Sequence, residues 1–271
     1  MAISGRSYST VKVGNGTTIK IEYRNFAEST ASIAREYAQH GYPDKYVIVT
    51  ENQASTTLTG TNIKAGSLDH GIFMSLVLRP SFFPEQASSL DPISVVAFAQ
   101  VLEKYTSKQL GISWVSDIFC DGVKIGGTKI EGKLKDTESY DYIIITFAAK
   151  LDENDFPPRL KESVRKVFTK NNLPNGLMIA KTVLDNFFKA YTNVQSIENA
   201  IKQYENKFIL KGIKIKYLHK KMLRAGTVIG IDKDTFSLIV KPTFGEQTNI
   251  SKHSATIIPS RIKQIVKKQT K

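Results

Sequence analysis

Trp114-Val115-Ser116-Asp117-Ile118-Phe119-Cys120-Asp121-Gly122-Val123-Lys124-Ile125-Gly126-Gly127 organises the reading of this chain. Apolar residues crowd both sides of Asp121-Gly122, a dipeptide that favours the positive-φ backbone of a two-residue hairpin turn. Two strands are therefore expected, Ile112–Cys120 and Lys124–Leu134, with Tyr140–Phe147 continuing the same sheet. Asp117 stands among apolar neighbours. A carboxylate there needs a partner if it is buried.

Upstream, Thr10–Val13 and Thr17–Tyr23 flank Gly14-Asn15-Gly16 and read as a hairpin. Ser29-Thr30-Ala31-Ser32 precedes Ile33, Ala34, Tyr37 and Ala38, an N-cap signal followed by apolar residues at helical spacing. Tyr46–Val49 and Gly71–Leu78 read as buried strands around a polar Thr/Ser-rich loop, 53–66. Pro92–Leu110 carries apolar residues at helical spacing. Downstream, Asp152–Pro158 reads as a loop, and helices are expected from Arg159 to about Asn206. Phe208–Tyr217, Arg224–Asp232, Thr235–Lys241 and a short run near Thr256–Pro259 read as the strands of a small all-β module.

Composition narrows the function classes. The length of 271 residues suggests about two domains at roughly 150 residues each. One cysteine, Cys120, excludes a disulfide framework and a cysteine-built zinc site. His40, His70, His219 and His253 show no metal-ligand spacing. No stretch has the roughly 18 unbroken apolar residues of a membrane span, and Met1-Ala2-Ile3-Ser4-Gly5-Arg6 lacks the apolar run of a signal peptide. A cytoplasmic protein without membrane contact is expected. Of the net charge of +13, residues 201–271 carry +12, from 16 basic and 4 acidic residues. Such a patch attracts nucleic acid, an acidic protein or an anionic substrate. Tyr204, Phe208, Tyr217, Phe236 and Phe244 are too few and too spread to stack bases, so nucleic acid is not expected as a partner.

The order of elements and several motifs resemble the biotin protein ligases. Trp114–Phe119 followed by Asp121–Gly127 is similar, without a gap, to that family's Lys-Trp-Pro-Asn-Asp strand, turn and Lys-x-x-Gly strand. Glu28-Ser29-Thr30 resembles the family's Asp-Ser-Thr-Asn helix start, and residues 226–240 resemble its small C-terminal SH3-like barrel. The N-terminal DNA-binding winged helix of the repressor-type members has no counterpart in the sequence given. The resemblance implies an α+β fold: a mixed β-sheet packed with helices, as in the biotin/lipoate ligase catalytic domain, then an SH3-like β-barrel. It divides the chain at 1–206 and 207–271. It implies ATP-dependent activation of biotin as an adenylate and transfer to a lysine on the biotin carrier domain of a carboxylase. Biotin is then substrate, ATP and Mg2+ are required, and a homodimer is implied.

Carried over residue by residue, Ser29, Thr30, Gln53, Trp114 and Lys124 contact the acid, Lys124 is the catalytic cation, and Asp117 lies near ATP and Mg2+. Each has a plainer reading: a helix cap for Ser29-Thr30, a turn residue for Gln53, a core aromatic for Trp114, a solvent-facing lysine for Lys124 and a structural hydrogen-bonder for Asp117. Cys120 reads as a small core residue. The family's Gly-Arg-Gly-Arg-x-Gly-Arg loop is replaced by Ser55-Thr56-Thr57-Leu58-Thr59-Gly60-Thr61, and its Gly-x-Gly-x-Asn strand end by Thr146-Phe147-Ala148-Ala149-Lys150. Threonine cannot reproduce the charged fork of arginine, and losing one preorganised donor costs on the order of 3 kcal/mol of transition-state stabilisation. Lys64 and Lys150 are the nearby cations, at positions that match no family cation. The alternative to an active ligase is a catalytically degenerate paralogue that binds a ligand, a carrier or another partner.

Overall fold

A computed structural model describes residues 5–14, 16–54, 71–151, 174–219, 222–252 and 255–257. An eight-stranded mixed sheet forms the larger part, in the order β1-β2-β3-β4-β8-β7-β6-β5. Its strands are β1 (Arg6–Lys12), β2 (Thr18–Arg24), β3 (Tyr46–Thr50), β4 (Gly71–Leu78), β5 (Gly111–Ser113), β6 (Asp117–Cys120), β7 (Val123–Leu134) and β8 (Tyr140–Lys150). Among the described strands only β2 and β3 pair in parallel, because α1 (Thr30–Gln39) crosses between them. The right-handed preference of such crossovers places this helix on one face of the sheet. There Ala34 and Ala38 pack on Tyr46, Ile48, Val77, Tyr142 and Ile144.

The opposite face carries the main core. Ile19, Ile21, Val47, Val49, Met74, Leu76, Ile143, Ile145 and Phe147 are buried there against three helices. These are α2 (Leu90–Glu103), α3 (Gly176–Tyr191) and α4 (Val194–Lys207). In α2 nearly every side chain is buried, Asp91 and Ser94 included, as expected of a helix enclosed on all sides. The mixed sheet with packed helices is the expected fold class, and the second sheet is the expected small β-module. Its order is β12-β11-β10-β9-β13, from β9 (Lys214–His219), β10 (Met222–Ile231), β11 (Leu238–Pro242), β12 (Thr248–Ile250) and β13 (Ala255–Ile257), all antiparallel. Tyr217, Val228, Leu238, Val240 and Ile250 fill this module, and their packing is continuous with the larger core.

Several elements differ from the sequence reading: the strand expected at Phe208–Tyr217 begins only at Lys214, and the strand Thr248–Ile250 was not expected. The run 112–120 is not one strand. It turns back at Trp114–Ser116, so that Gly111 pairs with Phe119 and Ser113 with Asp117. The turn is held by distant partners: the Val115 carbonyl accepts from the Tyr204 hydroxyl at 2.8 Å, and the Ser116 carbonyl from the Thr128 N–H at 2.9 Å. The helix expected over Pro92–Leu110 stops at Glu103. The Thr106 hydroxyl then accepts the Lys108 N–H at 3.1 Å, a local bond that competes with helix continuation. The loop expected at 152–158, and the helix start at Arg159, lie outside the described residues.

Candidate functional site

Asp121 and Gly122 both have positive φ, 46° and 76°, as the expected hairpin turn requires. This turn brings β7 back beside β6, with one extra β7 residue opposite Ile118–Phe119. The bulge turns Lys124 to the side of the sheet that carries Asp117. Lys124 Nζ lies 2.7 Å from Asp117 Oδ1, an ion pair whose side chains are 21% and 30% exposed. Burial pushes the Asp117 carboxyl up from its usual range, and the Lys124 ammonium opposes that shift.

Gly127 lets this pair form where it does. A Cβ there would stand 2.5 Å from the Ser116 carbonyl oxygen and 3.3 Å from Asp117 Oδ1. Gly127→Ala must therefore part β6 from β7. We expect it to lose about 1–3 kcal/mol of stability and to displace Asp117. Chemical denaturation, with ligand titration of the same variant, checks both. An unchanged midpoint would mean that β6 yields freely.

The other end of the site is the N-terminus of α1. Ser29 caps it, accepting the Ser32 N–H at 3.3 Å. The segment after β3 runs beside the segment before the helix through an Ala27–Gln53 bridge. This places the Gln53 carboxamide oxygen 2.9 Å from the Thr30 N–H. The buried Thr30 hydroxyl accepts from Ser75 Oγ at 3.0 Å, and Ser75 Oγ lies 3.0 Å from Thr146 Oγ1. With Thr146 donating to Ser75, a three-hydroxyl chain ends at Thr30. Sequence reasoning did not single out Ser75. Its signal was a lone hydroxyl in the apolar run 71–78, where a buried polar group needs a partner.

Between the two ends, strand register lays out a floor. Thr50 pairs with Phe73, Phe73 with Ala148, Ala148 with Gly127, and Gly127 with Asp117. Cross-strand partners share a face, so this row crosses the sheet on the α1 side. From Phe73 to Asp117 it spans three strand spacings, roughly 14 Å. Its centre holds only a methyl group, at Ala148, and a bare backbone, at Gly127. Lys150, 8% exposed, is on the same face by alternation from Ala148. The site thus has a hydroxyl and helix N-terminus at one end, a low-bulk middle, and a lysine–carboxylate pair at the other.

Trp114 sits in the core rather than on this floor. Its indole N–H donates to the Phe236 carbonyl of the small β-module at 3.1 Å. A second carboxylate, Asp91, lies just behind the Trp114–Ser116 turn. It is 4% exposed, accepts from the Ser116 hydroxyl at 3.5 Å and pairs with Lys252 of the small module. Cys120 is buried on the opposite face of the sheet, and burial, with the Asp121 carboxylate adding to it, pushes its thiol up to about 12. A thiol held protonated in the core is a packing residue, not a nucleophile. Ser55–Thr61 and Lys64 lie outside the described residues. Among the described residues no group of three His, Cys, Asp or Glu side chains could hold a metal ion. A magnesium ion would fit only as one carried by nucleotide phosphates and touched by one carboxylate, Asp117. No helix among the described residues is long and apolar enough to cross a membrane.

No family model matches the chain. It is 27% identical over 160 residues to the bifunctional ligase/repressor BirA of Bacillus subtilis (strain 168). That match takes in 58% of this chain and 49% of BirA, so the chain spans about half the length of the curated relatives it matches. Its fold is similar to that of the biotin protein ligase from Aquifex aeolicus in complex with biotin and ATP (TM-score 0.66, 16% identity, 88% of this chain and 97% of that one). It is also similar to that of a biotin protein ligase-like protein of unknown function from Silicibacter sp. TM1040 (TM-score 0.54, 14% identity, 91% of this chain and 96% of that one).

Proposed function

From a chain that is a divergent relative of the biotin protein ligases in sequence and has their fold, we propose that the row between Thr30 and the Asp117–Lys124 pair binds biotin or a related small organic acid. We propose further that the acid is activated there with ATP for transfer to a carrier lysine. The observation that carries this reading is the Asp117–Lys124 pair at 2.7 Å across the floor from the α1 N-terminus. The same reading assigns 1–206 to the ligase-like unit and 207–271 to the SH3-like barrel.

Each end does different work. Thr30 offers the terminal hydroxyl proton of the Thr146–Ser75 chain to an acceptor on the ligand's ring system. Ser29 and Gln53 hold the helix start, and the positive end of the helix dipole favours electron-rich groups there. Lys124 meets the carboxylate. An approaching anion competes with Asp117 for the ammonium; Asp117 would be the residue to touch a magnesium ion carried by nucleotide phosphates, which would supply charge neutralisation there. In the first step a carboxylate oxygen of the acid bonds to the α-phosphorus and pyrophosphate leaves. Two anions must meet, and Lys124 lowers that repulsion. In the second step a carrier amine bonds to the acyl carbon, and AMP leaves. Trp114 acts on this site only through the turn it anchors.

A second reading, a ligand-binding paralogue without adenylation, is favoured by the threonine-rich stretch Ser55–Thr61 where the family carries arginines. Calorimetric titration with biotin, with ATP-magnesium and with both separates the two. An active ligase binds biotin more tightly with nucleotide and releases pyrophosphate. Lys124→Ala is then expected to lower that release by roughly 10²–10³-fold. Biotin binding without any nucleotide effect selects the second reading. No heat with either ligand, or release unchanged in Lys124→Ala, overturns the site.

A further inference from the structure

Alternation along β9 and β10 divides the small module into two faces. Ile215, Tyr217 and Val228 point inward and are buried, whereas Lys214, Lys216, Leu218, Leu223 and Ala225 point outward and are exposed. Register orders the outer face. Leu218 stands opposite Leu223, Lys216 opposite Ala225, and Lys214 opposite Thr227, which in turn pairs with Lys241 of β11. The leucine pair is 43% and 61% exposed, an apolar spot one register row from Lys216 and two rows, roughly 13 Å, from Lys214 and Lys241. None of β9 to β13 contains an acidic residue. Among the described residues, Lys214, Lys216 and Lys241 form no ion pair.

The module meets the larger unit at its β10–β11 turn, where Phe236 meets Trp114 and Tyr204 and the Asp234 backbone carbonyl accepts from Ser88, and also through Phe208–Ile209 on Ile112 and Lys252 on Asp91. Asp232 and Asp234 lie at the β10–β11 turn, and the remaining acidic residue described in the module, Glu246, lies in the β11–β12 turn. The leucine pair belongs to the other end of β10, about 25 Å along the strand from Ile231.

We propose that this outer face is a docking surface for an acidic protein partner, one presenting carboxylates around an apolar contact. Charge complementarity selects an anionic occupant, and exposed leucines beside lysines select protein over nucleic acid. Apolar patches rimmed by charge mark protein contacts. A nucleic-acid face would use arginines and stacking rings, and this face has neither. The inference does not depend on the ligand-binding row, which lies on the larger sheet.

The test uses the full chain and fluorescence anisotropy. The probes are a labelled 18-residue peptide of repeated Glu-Glu-Leu, a labelled 18-nucleotide single strand and the matching duplex. The peptide is expected to bind at 50 mM salt, to weaken as salt rises, and to bind at least tenfold more tightly than either oligonucleotide. The variants Lys214→Glu/Lys216→Glu and Leu218→Ser/Leu223→Ser should each weaken peptide binding at least tenfold, and Lys241→Glu alone several-fold. Melting temperatures close to that of the unaltered chain show that these surface variants fold. Failure of the peptide to bind at low salt overturns the proposal, as does peptide binding indifferent to the lysine variants. Oligonucleotides that bind as tightly as the peptide and ignore the leucines overturn it in favour of nucleic acid.

Discussion

Glu22→Ala is expected to destabilise the protein by about 3–5 kcal/mol, because it removes one side of a buried charge cluster. Glu22 is 1% exposed. Its carboxylate accepts from Arg24 Nε at 2.7 Å and from the hydroxyls of Tyr46 and Tyr37 at 2.9 and 3.2 Å. Arg24 also donates to the Tyr37 hydroxyl at 2.7 Å. Burial, with the Glu22 carboxylate adding to it, pushes both phenols up, so they stay protonated and keep donating. Alanine strands a guanidinium, 13% exposed, and two hydroxyls at once. Differential scanning calorimetry should show a fall of roughly 10 °C in Tm. Glu22→Gln, which keeps the size and an acceptor oxygen, should fall by less. A loss under about 1 kcal/mol in the alanine variant would show that water re-solvates the cluster. Tyr37 stacks on Tyr42 at 4.0 Å, and both pack at the C-terminal half of α1. The cluster therefore seats the helix whose other end forms the candidate site.

Trp114→Ala should cost a similar amount, about 3–5 kcal/mol, with a different signature. The indole is 8% exposed and its N–H satisfies the Phe236 carbonyl. Truncation opens a cavity at the junction of the two sheets and orphans that carbonyl. Phe236 has a positive φ of 55°, so its carbonyl direction is set by a turn that cannot readily turn it elsewhere. Hydrogen exchange should rise first in the β10–β11 turn and at Trp114–Ser116, and less across β3, β4 and β8. Trp114→Phe separates the terms. It keeps most of the apolar area and loses only the donor, a cost of about 1–3 kcal/mol. Uniform exchange across both sheets in the alanine variant would show that the modules unfold as one unit. Because Trp114 is the chain's single tryptophan, its fluorescence in the unaltered protein reports this junction.

Much of this architecture was legible because it depends on neighbours in sequence. Asp121-Gly122 announced its hairpin through the backbone freedom that its two positive φ angles need. Ser29 announced a helix start, and it caps α1. Alternating apolar residues announced strands and the small β-module, whereas the mixed sheet was what the resemblance to the biotin protein ligases implied. The excess positive charge after residue 200 was likewise a matter of counting, as was the threonine-rich stretch Ser55–Thr61.

Long-range pairing decided the rest. The break at Trp114–Ser116 depends on Tyr204 and Thr128 satisfying its carbonyls, and on Phe236, 122 residues away, accepting the indole proton. The hydroxyl chain joins Thr30, Ser75 and Thr146, separated by 45 and 71 residues. The charge at the C-terminal end became a face only when strand alternation and register turned Lys214, Lys216 and Lys241 to the outer side of the small module. Local backbone preference is set by a residue and its immediate neighbours, so a chain displays it in order. A buried polar group is stable only beside a partner that folding brings in from elsewhere, and that partner is named by the tertiary structure alone.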